Sequence, residues 1–210
     1  MAFFPSTKTE LQTAVDAWVS DETSAIATYG VISDWNTSEI TDMSDLFRNK
    51  PNFNGNIINW NVAKVTDMHR MFSGAHLFNQ PIGNWNTSEV TNMYYMFREA
   101  RTFNKDINNW DVSKVTNMWS MFGGAYVFNQ SLNDWVVSNV TNMGYMFYNA
   151  KKFNGIIRNW NVSNVQYMDY MFQGATVFNN QLDIWNVGNV VNMKGMFYYA
   201  EAFNQDISGW

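Results

Sequence analysis

Residues 110–135 read WDVSKVTNMWSMFGGAYVFNQSLNDW, opening and closing on Trp. Trp recurs at 35, 60, 85, 110, 135, 160, 185 and 210, always 25 residues apart. A period of that size belongs to a chain that stacks one structural unit on the next. With Trp as position 1, the other strict columns follow without a gap. Position 9 is Met in all seven repeats, from Met43 to Met193. Position 12 is Leu46 and then Met71, Met96, Met121, Met146, Met171 and Met196. Position 13 is Phe (Phe47 to Phe197), position 19 is Phe (Phe53 to Phe203), and position 20 is Asn. Position 16 is Ala from Ala75 to Ala200, with Lys50 the exception. Every Met except Met1, and every Phe except Phe3 and Phe4, falls in one of these columns.

Positions 9, 12, 13 and 16 follow i, i+3, i+4, i+7, the spacing of one apolar helix face. Two turns of helix per repeat are therefore expected. The β-branched, aromatic and Asn-punctuated remainder, such as Phe78 through Ile82 and Trp85 to Thr87, suits short extended segments. Position 6 (Ile40, Val65) adds one more inward side chain. The expected fold is a repeat solenoid, leucine-rich-repeat-like, with one short strand and one short helix in each 25-residue coil; the alternative is a mainly β solenoid. At the strand spacing of ~4.8 Å, such coils would stack into a core roughly 35 Å long.

Residues 1–34 lack the pattern and read as a helical N-terminal cap on the stack that fills 35–210. Thr7-Lys8-Thr9-Glu10 fits a capping box, and Leu11, Ala14, Val15 and Trp18 follow at helical spacing. A second short helix is expected from Asp21 to Tyr29, stopped by Gly30. The chain stops at Trp210, the first residue of an eighth repeat, so no C-terminal cap is expected. That open end is a place where copies could assemble.

Composition narrows the function classes. The net charge is −5, and Lys and Arg are scattered rather than clustered, which argues against nucleic acid, whose phosphates need a cationic stripe. There is no Cys, so disulfides, thiol nucleophiles and Cys-based metal sites are excluded. No run reaches the ~18 apolar residues of a membrane span. Met1 to Pro5 is too short for a secretory apolar region, so no signal peptide is expected in this chain.

The quoted stretch resembles the repeat family first catalogued as a mycoplasma domain of unknown function, usually grouped with BspA-type leucine-rich-repeat surface proteins. The likeness covers residues 35–210. TELQTAVDAWVSDETSAIATYG (residues 9–30) resembles the capping segment of microbial-eukaryote members. The resemblance implies a right-handed solenoid, cell-surface or secreted placement, and adhesion to host or neighbouring proteins. It carries over no catalytic residue. Lys50 for Ala, Gln166-Tyr167 for Thr-Asn and Val191 for Thr depart from the pattern and are expected to loosen packing or ladder bonding locally.

Asn54, Asn79, Asn104, Asn129, Asn154, Asn179 and Asn204 form a position-20 column, expected to be a structural ladder bonding adjacent backbones. No Asp or Glu column accompanies it, so calcium is not expected. The helical spacing of the Met residues with Phe and Ala points to core rather than copper. His69 and His76 have no third ligand and are read as surface residues. Ser and Thr at positions 4 and 7 are read as turn residues, with no His–Asp partner to activate them. No metal, cofactor or catalytic residue is expected. Asn36, Asn86, Asn129, Asn139 and Asn161 open N-x-S/T sequons, which matter only in a eukaryotic secretory setting.

The outward positions are less uniform. Tyr94, Tyr95, Trp119, Tyr145, Tyr148, Tyr170, Tyr198 and Tyr199 fall on the side facing away from the apolar columns in repeats three to seven. Ser44, Asp45, His69 and Arg70 take those places in the first two. Large aromatics outside a core point to a contact surface. The expected function is a non-enzymatic protein-interaction or adhesion module using this face. The alternatives are a structural spacer or subunit assembling through the C-terminal end, and a carbohydrate binder using the aromatic row.

Overall fold

The computed structural model describes residues 3–210; Met1 and Ala2 of the 1–34 cap lie outside the described residues. Helix α1 (Lys8–Ser20) opens on Thr7, whose hydroxyl takes the Glu10 N–H while the Glu10 carboxylate returns to the Thr7 N–H. It buries Leu11, Ala14, Val15 and Trp18. Helix α2 (Glu22–Tyr29) is capped by Asp21 and ends on Gly30 at φ 74°, a left-handed backbone that glycine takes without Cβ strain. A single 3-10 turn (Ile32–Asp34) leads into seven stacked coils.

The coils overturn the expected secondary structure. Among the described residues no coil contains an α-helix or a strand, so neither the leucine-rich-repeat-like coil nor the mainly β solenoid forms. Each coil meets the next at one parallel bridge on position 8, from Asp42↔Asp67 to Tyr167↔Asn192. The run from 9 to 16 is a chain of turns. Positions 11 and 15 are left-handed in every coil, Asp45 and Asn49 in the first through Gly195 and Tyr199 in the last, with φ between 52° and 73°. A left-handed residue at every fourth place cannot belong to a right-handed helix.

Hydrogen bonding follows from that backbone. The N–H groups of Met68, Arg70, Phe72 and Gly74 (positions 9, 11, 13 and 15) donate upward to Asn92, Tyr94, Met96 and Arg98, at 2.7–3.1 Å. Those of Met71, Ser73 and Ala75 donate three residues back within the coil, at 3.0–3.1 Å. Alternate amides thus stitch coils together and close turns. Apolar spacing reports which side chains face inward, and Met68, Met71, Phe72 and Ala75 are indeed fully buried. It does not report where the amides go.

The core is a set of aromatic columns. Successive position-13 Phe rings stack at 5.4–5.7 Å. The position-19 Phe rings stack at 5.8–6.0 Å. Within a coil the two Phe rings lie face to face, 3.9 Å apart for Phe72 and Phe78. Each such buried side chain contributes about 1.5–3 kcal/mol by leaving water. From Trp110 onward the Trp indole N–H reaches the position-23 carbonyl 28 residues earlier, as Trp110 does to Ile82 at 3.1 Å.

The cap stands in for a coil beneath the first. Lys8, Gln12 and Asp16 of α1 meet Asp42 (3.0 Å), the Leu46 carbonyl (3.1 Å) and Lys50 (2.6 Å). Lys50 therefore does not loosen the core as its departure from Ala suggested; it binds the cap. Ile32 takes the place of a position-23 residue, its carbonyl accepting the Trp60 indole N–H at 2.9 Å. At Val191, where no Thr hydroxyl is present to bond the coil below, the backbone bond remains, Val191 N–H to Gln166 O at 2.9 Å.

The coils also alternate, a 50-residue period that the Trp spacing conceals. Position 15 is Gly74, Gly124 and Gly174 in even coils, and Asn49, Glu99, Asn149 and Tyr199 in odd ones. The side chain of coils 1, 3 and 5 leans over the coil above. A Cβ on Gly74 would fall 2.8 Å from Asn49 Oδ1, and Cβ atoms on Gly124 and Gly174 would collide with Glu99 and Asn149.

Candidate functional site

The position-8 residue sets the direction of position 10. Asn92 Oδ1 accepts the Tyr94 N–H at 3.2 Å and Asn117 Oδ1 the Trp119 N–H at 3.0 Å. This is a side-chain turn of the kind Asn favours. The left-handed backbone at position 11 then swings Tyr95, Tyr145 and Tyr170 beside it, at φ 59°, 57° and 53°.

Six of the eight aromatic candidates join into one ridge over coils 3 to 6. Tyr94 lies 4.1 Å from Tyr95 and stacks on Trp119 at 5.5 Å with 15° between planes. Trp119 meets Tyr95 edge-on at 4.7 Å and Tyr145 at 5.1 Å. Tyr145 continues to Tyr148 at 5.6 Å and Tyr170 at 5.0 Å. These six are half-buried. Tyr198 and Tyr199 form a separate pair in coil 7, hydroxyl to hydroxyl at 3.1 Å, and are 53% and 63% exposed.

Four residues of the ridge are absent from the sequence reading. Gly144 and Gly195 are ring seats: a Cβ on Gly144 would sit 2.8 Å from Trp119 Cδ1, and one on Gly195 2.5 Å from Tyr170 Cε1. The signal was available as a glycine one repeat after a large ring in the same column, Gly144 after Trp119 and Gly195 after Tyr170. Arg98 lies over the Tyr95 ring at 4.9 Å and Lys194 over Tyr170 at 5.9 Å, adding cations to the aromatic edge.

The ring packing perturbs the phenols. Burial, then the hydrogen bond with Tyr94, pushes the Tyr95 hydroxyl up to about 12. Burial and then the Asp169 carboxylate raise Tyr145. The bond to Tyr199 raises Tyr198. These hydroxyls are neutral at physiological pH.

Below the ridge, coils 1 and 2 carry a charged cluster. Arg70 Nη2 lies 3.0 Å from Asp45 and 3.1 Å from His69 Nε2. His69 Nδ1 is 2.9 Å from Asp67. His69 is thus held between Asp67 and Arg70 by hydrogen bonds rather than standing alone on the surface. Asp42 pairs with Lys8, which also contacts Ser44. Burial raises the Asp42 carboxyl, but the bonds from Ser44 and Lys8 outweigh it and the net displacement is downward. Among the described residues no group of three or more His, Cys, Asp or Glu could hold a metal ion. The position-20 asparagines form a continuous file: each N–H from Asn79 to Asn204 donates to the Asn Oδ1 one coil below, at 2.8–3.0 Å.

The family of the mycoplasma protein of unknown function, DUF285, matches residues 13–135 and 126–210, which together cover α1 from Thr13, α2 and every coil. The chain belongs to this family. No curated protein matches the chain. Among the described residues no helix is long and apolar enough to cross a membrane.

Proposed function

We propose that this member of the DUF285 family is a non-enzymatic protein-interaction module, of the adhesive kind, whose contact surface is the ridge of Tyr94, Tyr95, Trp119, Tyr145, Tyr148 and Tyr170. The observation that supports it is the placement of tyrosine at left-handed position 11. Glycine adopts that backbone freely, as Gly195 does, while a side chain there costs about 1–2 kcal/mol. Keeping large rings at that cost, half-exposed and flanked by Arg98 and Lys194, suits a surface that meets a partner: Tyr, Trp and Arg carry most of the energy at protein interfaces. The stacking of Tyr94 on Trp119 turns ring faces toward each other. That favours a protein partner over a sugar, which stacks on an open ring face.

The test is parallel binding to arrays of cell-surface proteins and of glycans. Wild type is compared with a variant carrying Tyr95, Trp119, Tyr145 and Tyr170 all replaced by Ser. Selective protein binding that the variant loses while keeping its circular dichroism is the expected result. Binding the variant retains in full, or binding to glycans alone, rejects the reading.

A further inference from the structure

The Asn file has a first rung, and it is unfinished. Asn54 Oδ1 is occupied from above by the Asn79 N–H at 2.9 Å and the Gln80 amide at 3.0 Å. Its own N–H points the other way, toward the cap, as every N–H in the file points one coil down. The position-18 amides run in the same direction: Leu77, Thr102, Lys152 and Ala202 N–H donate to the position-17 carbonyl below, at 2.9–3.1 Å. Among the described residues the N–H groups of Asn52 and Asn54 donate to nothing.

The cap explains the gap. α1 covers the 8–16 side of the first coil, and Ile32 supplies position 23 of the coil beneath. Nothing replaces positions 17 to 22 of that coil. In their place is a cleft of about 560 Å³ between Trp18, Val19, Glu22, Val31 and Ile32 of the cap and residues 52–56 of the first coil. Gly55 puts no side chain across its floor, where the even coils carry Gln80, Gln130 and Asn180.

We infer that this cleft binds an extended peptide of a partner protein, read by one backbone carbonyl and, three residues later, a side-chain amide. The Asn Oδ1 takes the Asn54 N–H, repeating one coil lower the bond that all higher rungs make. The carbonyl takes the Asn52 N–H, repeating the bond made by Leu77, Thr102, Lys152 and Ala202 but, among the described residues, not by Val127 and Val177. Strand addition to an open edge works the same way: main-chain bonds give affinity, and one side-chain position gives selectivity. Trp18, Val19 and Val31 supply apolar wall. The site is separate from the aromatic ridge, and either can exist without the other.

A synthetic peptide with the sequence of residues 76–82, His-Leu-Phe-Asn-Gln-Pro-Ile, is the probe, because it copies the missing stretch. It is titrated into the full chain while backbone amide resonances and hydrogen exchange are followed. Saturable binding is expected, with the Asn52 and Asn54 amides shifted and protected. A peptide with Leu in place of its Asn is expected to bind at least tenfold more weakly. Val31→Arg, at a site 45% exposed and so tolerant of change, is expected to abolish binding while leaving the fold intact. Equal affinity for the Asn and Leu peptides, perturbation away from residues 52–54, or no binding at millimolar peptide overturns the inference. So does protection of Asn54 that grows with protein concentration alone, which makes the occupant a second copy.

Discussion

Asp16 of α1 meets Lys50 of the first coil at 2.6 Å, the one place where the position-16 column is charged. Every other member is Ala above another coil; Lys50 lies above a helix and reaches its carboxylate. Lys50→Ala, which restores the repeat consensus, is expected to destabilise the cap by about 0.5–1 kcal/mol, the scale of a partly exposed ion pair. Asp16→Ala should cost a similar amount and add little in the double variant. Urea unfolding of the four proteins measures this; additive losses would show that the pair is uncoupled.

Glu99 stands in a left-handed position and leans over Gly124. Gly124→Asn is expected to cost more than 2 kcal/mol, from collision with Glu99 together with loss of glycine's backbone freedom. In a Glu99→Gly background much of that cost should disappear, because the collision is gone. Thermal melts of the single and double variants test the 50-residue alternation; no rescue means that the collision is not its cause.

Trp85 and Trp110 occupy equivalent buried positions, yet Trp110 Nε1 donates to Ile82 O while Trp85 Nε1 is buried without a partner. Trp85→Phe is therefore expected to destabilise less than Trp110→Phe, by about 1 kcal/mol, the net value of one buried hydrogen bond. Equal losses on denaturant unfolding would contradict the assignment.

Tyr95 titrates near 12, above the ordinary tyrosine value of 10.0. A raised folded-state value means that neutral Tyr95 favours the fold. That contribution is intact below pH 10 and is lost as pH rises from 10 through 12, where the unfolded chain ionises first. Ultraviolet titration of phenolate should show a late-ionising tyrosine that disappears in Tyr95→Phe, and the variant should lose less stability across that window. An unchanged titration curve in the variant would assign the late phenol elsewhere.

Much of this was legible in the sequence because burial leaves a periodic trace. The Trp, Met and Phe columns mark the inward face correctly, and Thr7, Glu10, Asp21 and Gly30 mark the cap helices, since capping is a local matter of adjacent residues. The coil's secondary structure was misread for an identifiable reason. Positions 9, 12, 13 and 16 satisfy a helix and a chain of left-handed turns equally well, and only the destination of the amides separates them. Asn49, Gly74, Gly124 and Asn149, residues that accept left-handed backbone, were the available hint.

The sequence alone determined the repeat, its core columns and its cap, because each rests on residue type at fixed spacing. Tertiary structure decided what depends on the neighbouring coil. It turned the supposed helix into turns by drawing alternate amides upward. It made Gly144 and Gly195 seats for the rings of Trp119 and Tyr170, and it joined six aromatics into one ridge while leaving Tyr198 and Tyr199 apart. It also left the Asn file open at Asn54. Each of these is a contact between residues some 25 positions apart in sequence, where one coil's side chain or carbonyl sets what the next coil can hold.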